Sequence, residues 1–417
     1  MEGEWLETSL AAVMDVKHGF AFPGENIREE LPGDILLTPG NFVIGGGFKG
    51  DRFKYFDGEA PTDYVLSEGD LIVTMTDLSK HADTLGYPAL VPKSAGTRFL
   101  HNQRLGKVLI KDKAKLDRGY LYYLLCTADY RNEVLASATG TTVKHTSPSR
   151  ILAYKASIPP LAEQKAIAAM LRSLDDKIQL NRLMNSTLEA MARALFQSWF
   201  VDFDPVRAKL DGREPVGLDQ GTAVLFPAFF HETKVGHIPA GWQLGRLADL
   251  CNLKRGHDLP TSTRTAGPIP VISSSGTSGT HSETNVRGPG VVTGRYGTIG
   301  RVFYIETDYW PLNTTLFVDD FKGNPPRFIF HVLGEVNFQS YTDKAAVPGV
   351  NRNHLHEEPM VLPPLELRQA FANSVAPLWA QHATNEKESR ILASLRDMIL
   401  PKLLSGMLKF REAVSAL

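Results

Sequence analysis

The chain has 417 residues, 43% of them apolar and 22% charged, with a formal net charge of −1, which suits a protein of about two to four domains with real cores. Near-neutral charge gives no global attraction to a polyanion and argues against a nucleic-acid coating protein, though not against a local basic face. The start MEGEWLETSL lacks a signal-peptide pattern, no run reaches the roughly 18–20 apolar residues of a membrane span, and Cys126 and Cys251 sit outside any CxxC spacing; the expectation is a cytoplasmic, non-membrane protein whose cysteines are small buried hydrophobes.

In chain order, WLETSLAAVMDVKHGFAFP at Trp5 reappears as WQLGRLADLCNLKRGHDLP at Trp242, an offset of 237, with Leu10/Leu247, Ala11/Ala248, Lys17/Lys254, Gly19/Gly256 and Pro23/Pro260 identical. In the first copy, residues 35–38 (ILLT) and 71–74 (LIVT) are short β-rich runs bounded by Gly, Pro or Asp, and residues 116–127 read as a short helix. From Leu161 to Phe200 there is neither Gly nor Pro. Leu171, Leu174, Ile178, Asn181, Asn185, Leu188, Ala192, Leu195 and Trp199 fall on alternating steps of three and four, the seam of a coiled coil. Forty residues at 1.5 Å rise make a rod of roughly 60 Å.

The second copy repeats the plan. Residues 291–293, 302–305 and 316–318 read as strands, and LPPLELRQAFANSV at Leu362 repeats IPPLAEQKAIAAML at Ile158, with the offset now 204. Its helix carries Val375, Leu378, His382, Asn385, Ser389, Leu392, Arg396, Ile399 and Leu403 at the matching seam positions. Pro377 is expected to kink or delay it. Asn181 and Asn385 share one seam position, where a buried polar group can fix register. Between these anchors, Val73-Thr74 pairs with Val292-Thr293 at 219 and Asn102 with Asn313 at 211. The second copy is thus shortened in several steps, which places the losses in loops.

Catalytic signatures are missing: the sequence has no GxxxxGK[ST], HExxH, GxSxG or Pro-Asp. Asn324-Pro325-Pro326-Arg327 departs from the NPP(Y/F) element of amino-methyltransferases, because Arg327 stands where an aromatic is required, and reads as a turn. Asp175-Asp176-Lys177 reads as a solvated helix face. His354 and His356 would share a strand face without a third metal ligand. Phe196, Trp199, Phe200 and Phe203, with the seam helices, suggest a partner surface, core packing being the plainer alternative.

Basic, polar, glycine-rich loops carry more. Residues 93–118 hold eight Lys or Arg against Asp112 and Asp117, and Arg287, Arg295 and Arg301 lie in an acid-free stretch, 286–302. Amides and hydroxyls cluster nearby. Arg can bridge O6/N7 of guanine, Asn or Gln can pair with N6/N7 of adenine, and Lys with backbone amides suits phosphates.

Residues 158–206, the linker ending GHIPAGW at Trp242, TGRYGTIGRV at residues 293–302 and LPPLELRQ at residues 362–369 together make the chain resemble the specificity subunits of type I restriction–modification systems, over essentially its whole length. The resemblance implies an α+β fold: two strand-rich α/β target-recognition domains separated by a pair of long antiparallel coiled-coil helices, pseudo-twofold. The boundaries would be 1–157 and 242–361 for the recognition domains, 158–200 and 362–417 for the helical regions, and 201–241 for a linker. It also implies a non-catalytic subunit that reads an asymmetric bipartite site in double-stranded DNA. The helices would set the spacer and dock the modification methyltransferase, in two copies; an ATP-dependent restriction subunit can join. S-adenosylmethionine, ATP and Mg would belong to those partners, with no cofactor or metal here.

Loop chemistry and position nominate, for DNA contact, Lys17, Lys49, Lys80, Arg98, Asn102, Gln103, Arg104, Thr141 and Lys144 in the first domain. In the second they nominate Lys254, Arg255, Ser274, Ser275, Arg295, Tyr296, Thr298, Arg301, Asn313, Thr314, Lys344, Asn351 and Arg352. Helix pairing falls to Leu171, Leu174, Ile178, Asn181, Leu188, Leu195, Val375, Leu378, Asn385, Leu392 and Ile399. Two other readings are a divergent stand-alone methyltransferase or nuclease, and a scaffold or decoy that does not read DNA.

Overall fold

A computed structural model describes residues 5–94, 96–342 and 349–408. The chain forms two compact units: one combines the chain up to Asn181 with the segment from Glu386 on, the other is Arg182–Asn385. Two 40-residue helices, Leu161–Phe200 and Leu365–Leu404, give part of their length to each unit. The first begins where Pro159-Pro160 can no longer block it, with Pro160 O accepting from the amides of Glu163 (2.9 Å) and Gln164 (3.0 Å). Pro364 O does the same for Leu367 and Arg368 at 3.1 and 3.2 Å. The helix with Pro377 is neither delayed nor broken. Pro377 lies on an exposed face, and the carbonyl it leaves without a donor belongs to exposed Asn373, where water can replace the lost partner.

Within each unit the two helix segments run antiparallel. In the first, Asn181 Nδ2 donates to Glu388 Oε2 at 2.8 Å, and Arg396 Nη1 donates to Asp175 Oδ1 at 2.6 Å. In the second, Asn185 Nδ2 donates to His382 O at 3.2 Å, and Asn385 Nδ2 donates to Asn185 Oδ1 at 2.9 Å. Leu171, Leu174, Ile178, Asn181, Val375, Asn385 and Ile399 are buried, and Leu188, Leu195, Leu378 and Leu392 are half-buried. Each fully buried leucine contributes on the order of 1.5–3 kcal/mol.

Asp175 is not solvated: half-buried, it is held by Tyr123 and Arg396. The aromatic block is not a free surface either. Phe196, Trp199 and Phe200 are buried against Phe226, Trp242, Phe328 and Phe371, edge to face for the most part, in the core of the second unit. Residues 201–241 carry two short helices, Asp204–Leu210 and Gln220–Val224, and a hairpin of Phe230–Thr233 with Gly236–Pro239, and their Val206, Phe226 and Ile238 enter that same core.

The two units share a sheet plan. The first has an antiparallel sheet ordered Met14–His18, Leu105–Ile110, Leu71–Thr74, Pro88–Leu90; the second has Asn252–Arg255, Thr315–Asp320, Gly290–Gly294, Val302–Ile305 in the same order. Each has a parallel pair beside it, Asp34–Leu37 with Phe99–His101 and Ile269–Ser273 with Trp310–Pro311. Each is closed by a strand pair linking its start to its Pro-Pro boundary: Leu6 faces Ile158, and Gln243 faces Leu362. These paired strands keep both offsets of the sequence repeat. Leu71–Thr74 and Gly290–Gly294 are buried along their whole length, as central strands covered on both faces are.

Hydrogen bonding corrects two anchors by one residue. Met75 N donates to Arg104 O (2.8 Å) and Arg295 N to Thr314 O (2.9 Å), while Gln103 N donates to Phe20 O (2.8 Å) and Asn313 N to His257 O (2.9 Å). Arg295 therefore stands where Met75 does, and Asn313 stands where Gln103 does; the identities that pair Thr74 with Thr293 and Asn102 with Asn313 are coincidental. A one-residue slip matters, since it exchanges the faces of a strand. Val271 takes the place of Leu36 in the parallel pair. The length difference thus falls mainly between 37 and 71 and between 74 and 105, in loops and short edge strands.

Candidate nucleic-acid interface

Those two variable stretches meet in the first unit. Loops around residues 38–49, 77–84 and 102–104 enclose a cleft of about 620 Å³ with an apolar floor of Phe22, Leu36 and Phe42. Lys49, Asn102, Gln103 and Arg104 are brought together on its rim with Asp77. Gln103 and Arg104 are exposed, Asn102 Oδ1 accepts from the Arg104 amide at 2.9 Å, and Lys49 pairs loosely with Asp51 at 3.3 Å.

Asp77 organises one wall. Its carboxylate accepts from the amides of Ser79 and Thr84 and from the Thr84 hydroxyl, each at 2.6 Å. Burial pushes this carboxyl up, but hydrogen bonds from Thr84 and Ser79 outweigh it and hold the group below the usual carboxylate range. Lys80 sits exposed at the tip of that turn, and Lys144 is paired in register with Asp77. Sequence reading missed Asp77, whose burial has no local signature.

Other first-unit candidates do not line this cleft. Arg98 grips Asp34 in a fork at 3.1 and 2.5 Å, away from the cleft rim. Lys17 Nζ donates to Asp63 O at 2.8 Å and lies 4.5 Å from the Tyr64 ring centroid. Thr141 is exposed in a bend.

The second unit assembles a different edge. Thr314 O accepts from the amides of Arg295 and Tyr296 (2.9 and 3.2 Å), and the Ser274 amide donates to Thr314 Oγ1 at 3.4 Å. Val350 N donates to Arg295 O at 3.0 Å. Ser274, Arg295, Tyr296 and Thr314 are therefore neighbours. The arginines are laid on rings, Arg295 at 4.3 Å from Tyr296 and Arg301 at 5.0 Å from Phe303. Thr298, Arg255 and Arg352 are exposed, and Ser275 shares a hydrogen bond with Ser273 at 3.0 Å.

Glycine closes this hairpin. A Cβ on Gly294 would lie 1.8 Å from Thr298 O, and one on Gly349 would lie 2.1 Å from the Tyr296 ring. Three further candidates serve locally: Asn313 Nδ2 donates to Asp258, Lys254 pairs with Asp319 at 2.8 Å, and Asn351 caps the helix Arg352–His356 through the Asn353 amide at 3.0 Å. Lys344 lies outside the described residues.

His354 and His356 sit on that short helix, not on a strand, and His356 Nε2 accepts from the Leu253 amide at 3.0 Å. Among the described residues no group of three His, Cys, Asp or Glu could hold a metal ion, and no helix is long and apolar enough to cross a membrane. Cys251 is buried in the core, which pushes its thiol up to about 12, and Cys126 is partly buried. Asn324-Pro325-Pro326-Arg327 opens the helix Pro326–Glu335, with Asn324 buried and donating to Leu250 O at 2.8 Å.

A family model described as the type I restriction modification DNA specificity domain matches residues 3–190 and 239–390. The HindI specificity subunit of Haemophilus influenzae is 25% identical across 69% of this chain and 76% of its own length. The MjaIX specificity subunit of Methanocaldococcus jannaschii is 23% identical, covering 99% of this chain and 98% of the relative. The S subunit of a type I restriction–modification system from M. genitalium has the same fold, with a TM-score of 0.53 at 17% identity over 96% of both chains.

Proposed function

Because the chain belongs to the type I restriction modification DNA specificity family, we propose that it is the subunit that reads an asymmetric bipartite DNA site, one half through each unit. The observation that carries this is the pair of equivalent edges with unlike chemistry. At one backbone position the first unit has Met75 and the second has Arg295, the latter in a hairpin free of carboxylates. The first edge offers Gln103, Arg104 and Lys49 over an apolar floor beside Asp77. Amide and methyl-contacting groups suit A·T pairs, and arginines suit guanine edges.

Methylation and cleavage belong, in this proposal, to partners: a modification subunit in two copies that binds S-adenosylmethionine, and an ATP- and Mg-dependent restriction subunit. Leu183, Met184 and Met191, exposed on the first long helix, support docking there. Among the described residues no feature favours a stand-alone methyltransferase, since the Asn-Pro-Pro segment opens a helix with Asn324 buried and bonded to Leu250 O. None favours a decoy.

Genomic methyladenine should be mapped in cells with this gene and without it. A bipartite motif that disappears on deletion is expected. Exchanging residues 1–157 for a relative's domain should then change one half of the motif; a change in both halves would sink the modular reading.

A further inference from the structure

Each unit holds its recognition domain against its long helices through a polar joint. We infer that these joints are positioning elements that set, beside helix length, which spacer length the complex accepts. The inference rests on the bipartite reading above.

In the first unit three elements meet at Asp175. Tyr123 Oη, on the recognition-domain helix Arg118–Leu124, donates to Oδ2 at 2.8 Å, and Arg396 Nη1, on the second long helix, donates to Oδ1 at 2.6 Å. Arg396 is steadied by Asp397 at 2.7 Å. Earlier on the same helix as Asp175, Gln164 is fully buried; its Nε2 donates to Lys115 O and Pro159 O, and its Oε1 accepts from the Asp117 amide, all at 2.8 Å.

The second unit repeats the device with other residues. Arg368, which takes the place of Gln164 in the second Pro-Pro helix, donates to Pro363 O at 2.7 Å and to Asn324 Oδ1 at 2.6 Å. Arg327 lies between the rings of Tyr304 and Trp379, 3.3 and 4.4 Å from their centroids, and its Nη2 pairs with Glu306 at 2.5 Å. Trp379 belongs to the second long helix, and Tyr304 and Arg327 to the recognition domain.

Stability alone does not call for such groups. Well-packed apolar residues commonly replace a buried ion pair without loss. What they do not supply is direction, because apolar contacts tolerate small rotations that short charge-assisted hydrogen bonds resist. A base-pair step is about 3.4 Å, with roughly ten to a turn. A half-site one base pair nearer or farther is displaced by about 3.4 Å along the duplex and turned by about 35° around it, so only a domain free to shift and turn on its helix could reach it.

The test uses the complex with its modification subunit and DNA carrying the native spacer or spacers one base pair shorter and longer. Two variants are compared: Tyr123→Phe, and Asp175→Leu with Arg396→Met. Expected are unchanged half-site sequences, retained folding and subunit assembly, and methylation of the off-length sites raised about tenfold, equivalent to about 1.4 kcal/mol. If the double variant does not fold, Tyr123→Phe decides, since it removes one hydrogen bond. Off-length methylation at the wild-type level, whether native-spacer methylation is intact or uniformly reduced, reduces the joint to a structural role and overturns the inference. Absence of any half-site preference in the wild-type complex overturns the underlying DNA reading instead.

Discussion

Arg295 takes its direction from its neighbours. Its amide is tied to Thr314, its carbonyl to Val350, and its guanidinium lies on Tyr296. If it bridges a guanine edge, Arg295→Ala should cost about 1–3 kcal/mol and relax one base position, read by binding to a panel of single-base variants of the site. Equal weakening on every sequence would make it a phosphate contact. Gly294→Ala should act less directly. Its Cβ would press on the Thr298 carbonyl, so the hairpin must shift, and preference at several positions of one half-site should fall while the other half-site is still read. That constraint is not legible from sequence alone, because the atom the Cβ would strike is brought there by the fold.

Two buried histidines, one in each unit, should make both units sensitive to acid. His101 Nε2 donates to Leu105 O at 2.9 Å, and burial lowers this histidine to about 4; His331, stacked on Phe196, is lowered by burial to about 4 as well. Folded values below the ordinary 6.5 mean that an unfolded chain binds these protons first. Stability is then full above pH 6.5 and declines as pH falls from 6.5 to about 4, by about 3 kcal/mol for each histidine. Denaturant midpoints across that window check it. His101→Gln with the slope unchanged would show that the acid sensitivity lies elsewhere.

At the scale of elements, the long helices were legible and their side-chain partners were not. Leu161–Phe200 begins where the Gly- and Pro-free stretch begins and ends with four residues left before Pro205 closes that stretch, and its seam is buried or half-buried as the heptad steps require. Leu171→Ala should destabilise the first unit by about 2–5 kcal/mol, seen as a lower melting temperature, because Leu171 is fully buried. The strands at residues 71–74 and 302–305 match their sequence runs, since both are short, apolar and bracketed by turn residues, although the first is a buried central strand and the second a half-buried edge strand. Asp175 was misjudged for a physical reason: Arg396 is remote in sequence, and periodicity reports only the element that carries it. The aromatic block failed similarly, since a cluster that fills a core and one that docks a partner have the same local pattern.

At the scale of the molecule, duplication was the legible fact and register the illegible one. Identities at Trp5/Trp242 and at the Pro-Pro boundaries fix the frame because the paired strands there keep their offsets. Inside the variable loops a shared Asn misleads by one residue, and only the hydrogen-bond ladder corrects it. If phosphate contacts hold the DNA, affinity for both specific and random duplexes should fall steeply with salt, with a log–log slope of about −0.9 for each phosphate neutralised. A flat titration would leave no role for the exposed lysines and arginines.

Gln164 and Arg368 occupy one position in the two copies but take hold of different things. Gln164 engages only backbone atoms, which any incoming sequence supplies, whereas Arg368 needs the side chain of Asn324. Natural shuffling between relatives should therefore be freer for the front half than for the rear. Transplanted rear domains that lack the asparagine should assemble poorly until it is restored, an asymmetry measurable as the yield of methylating hybrids.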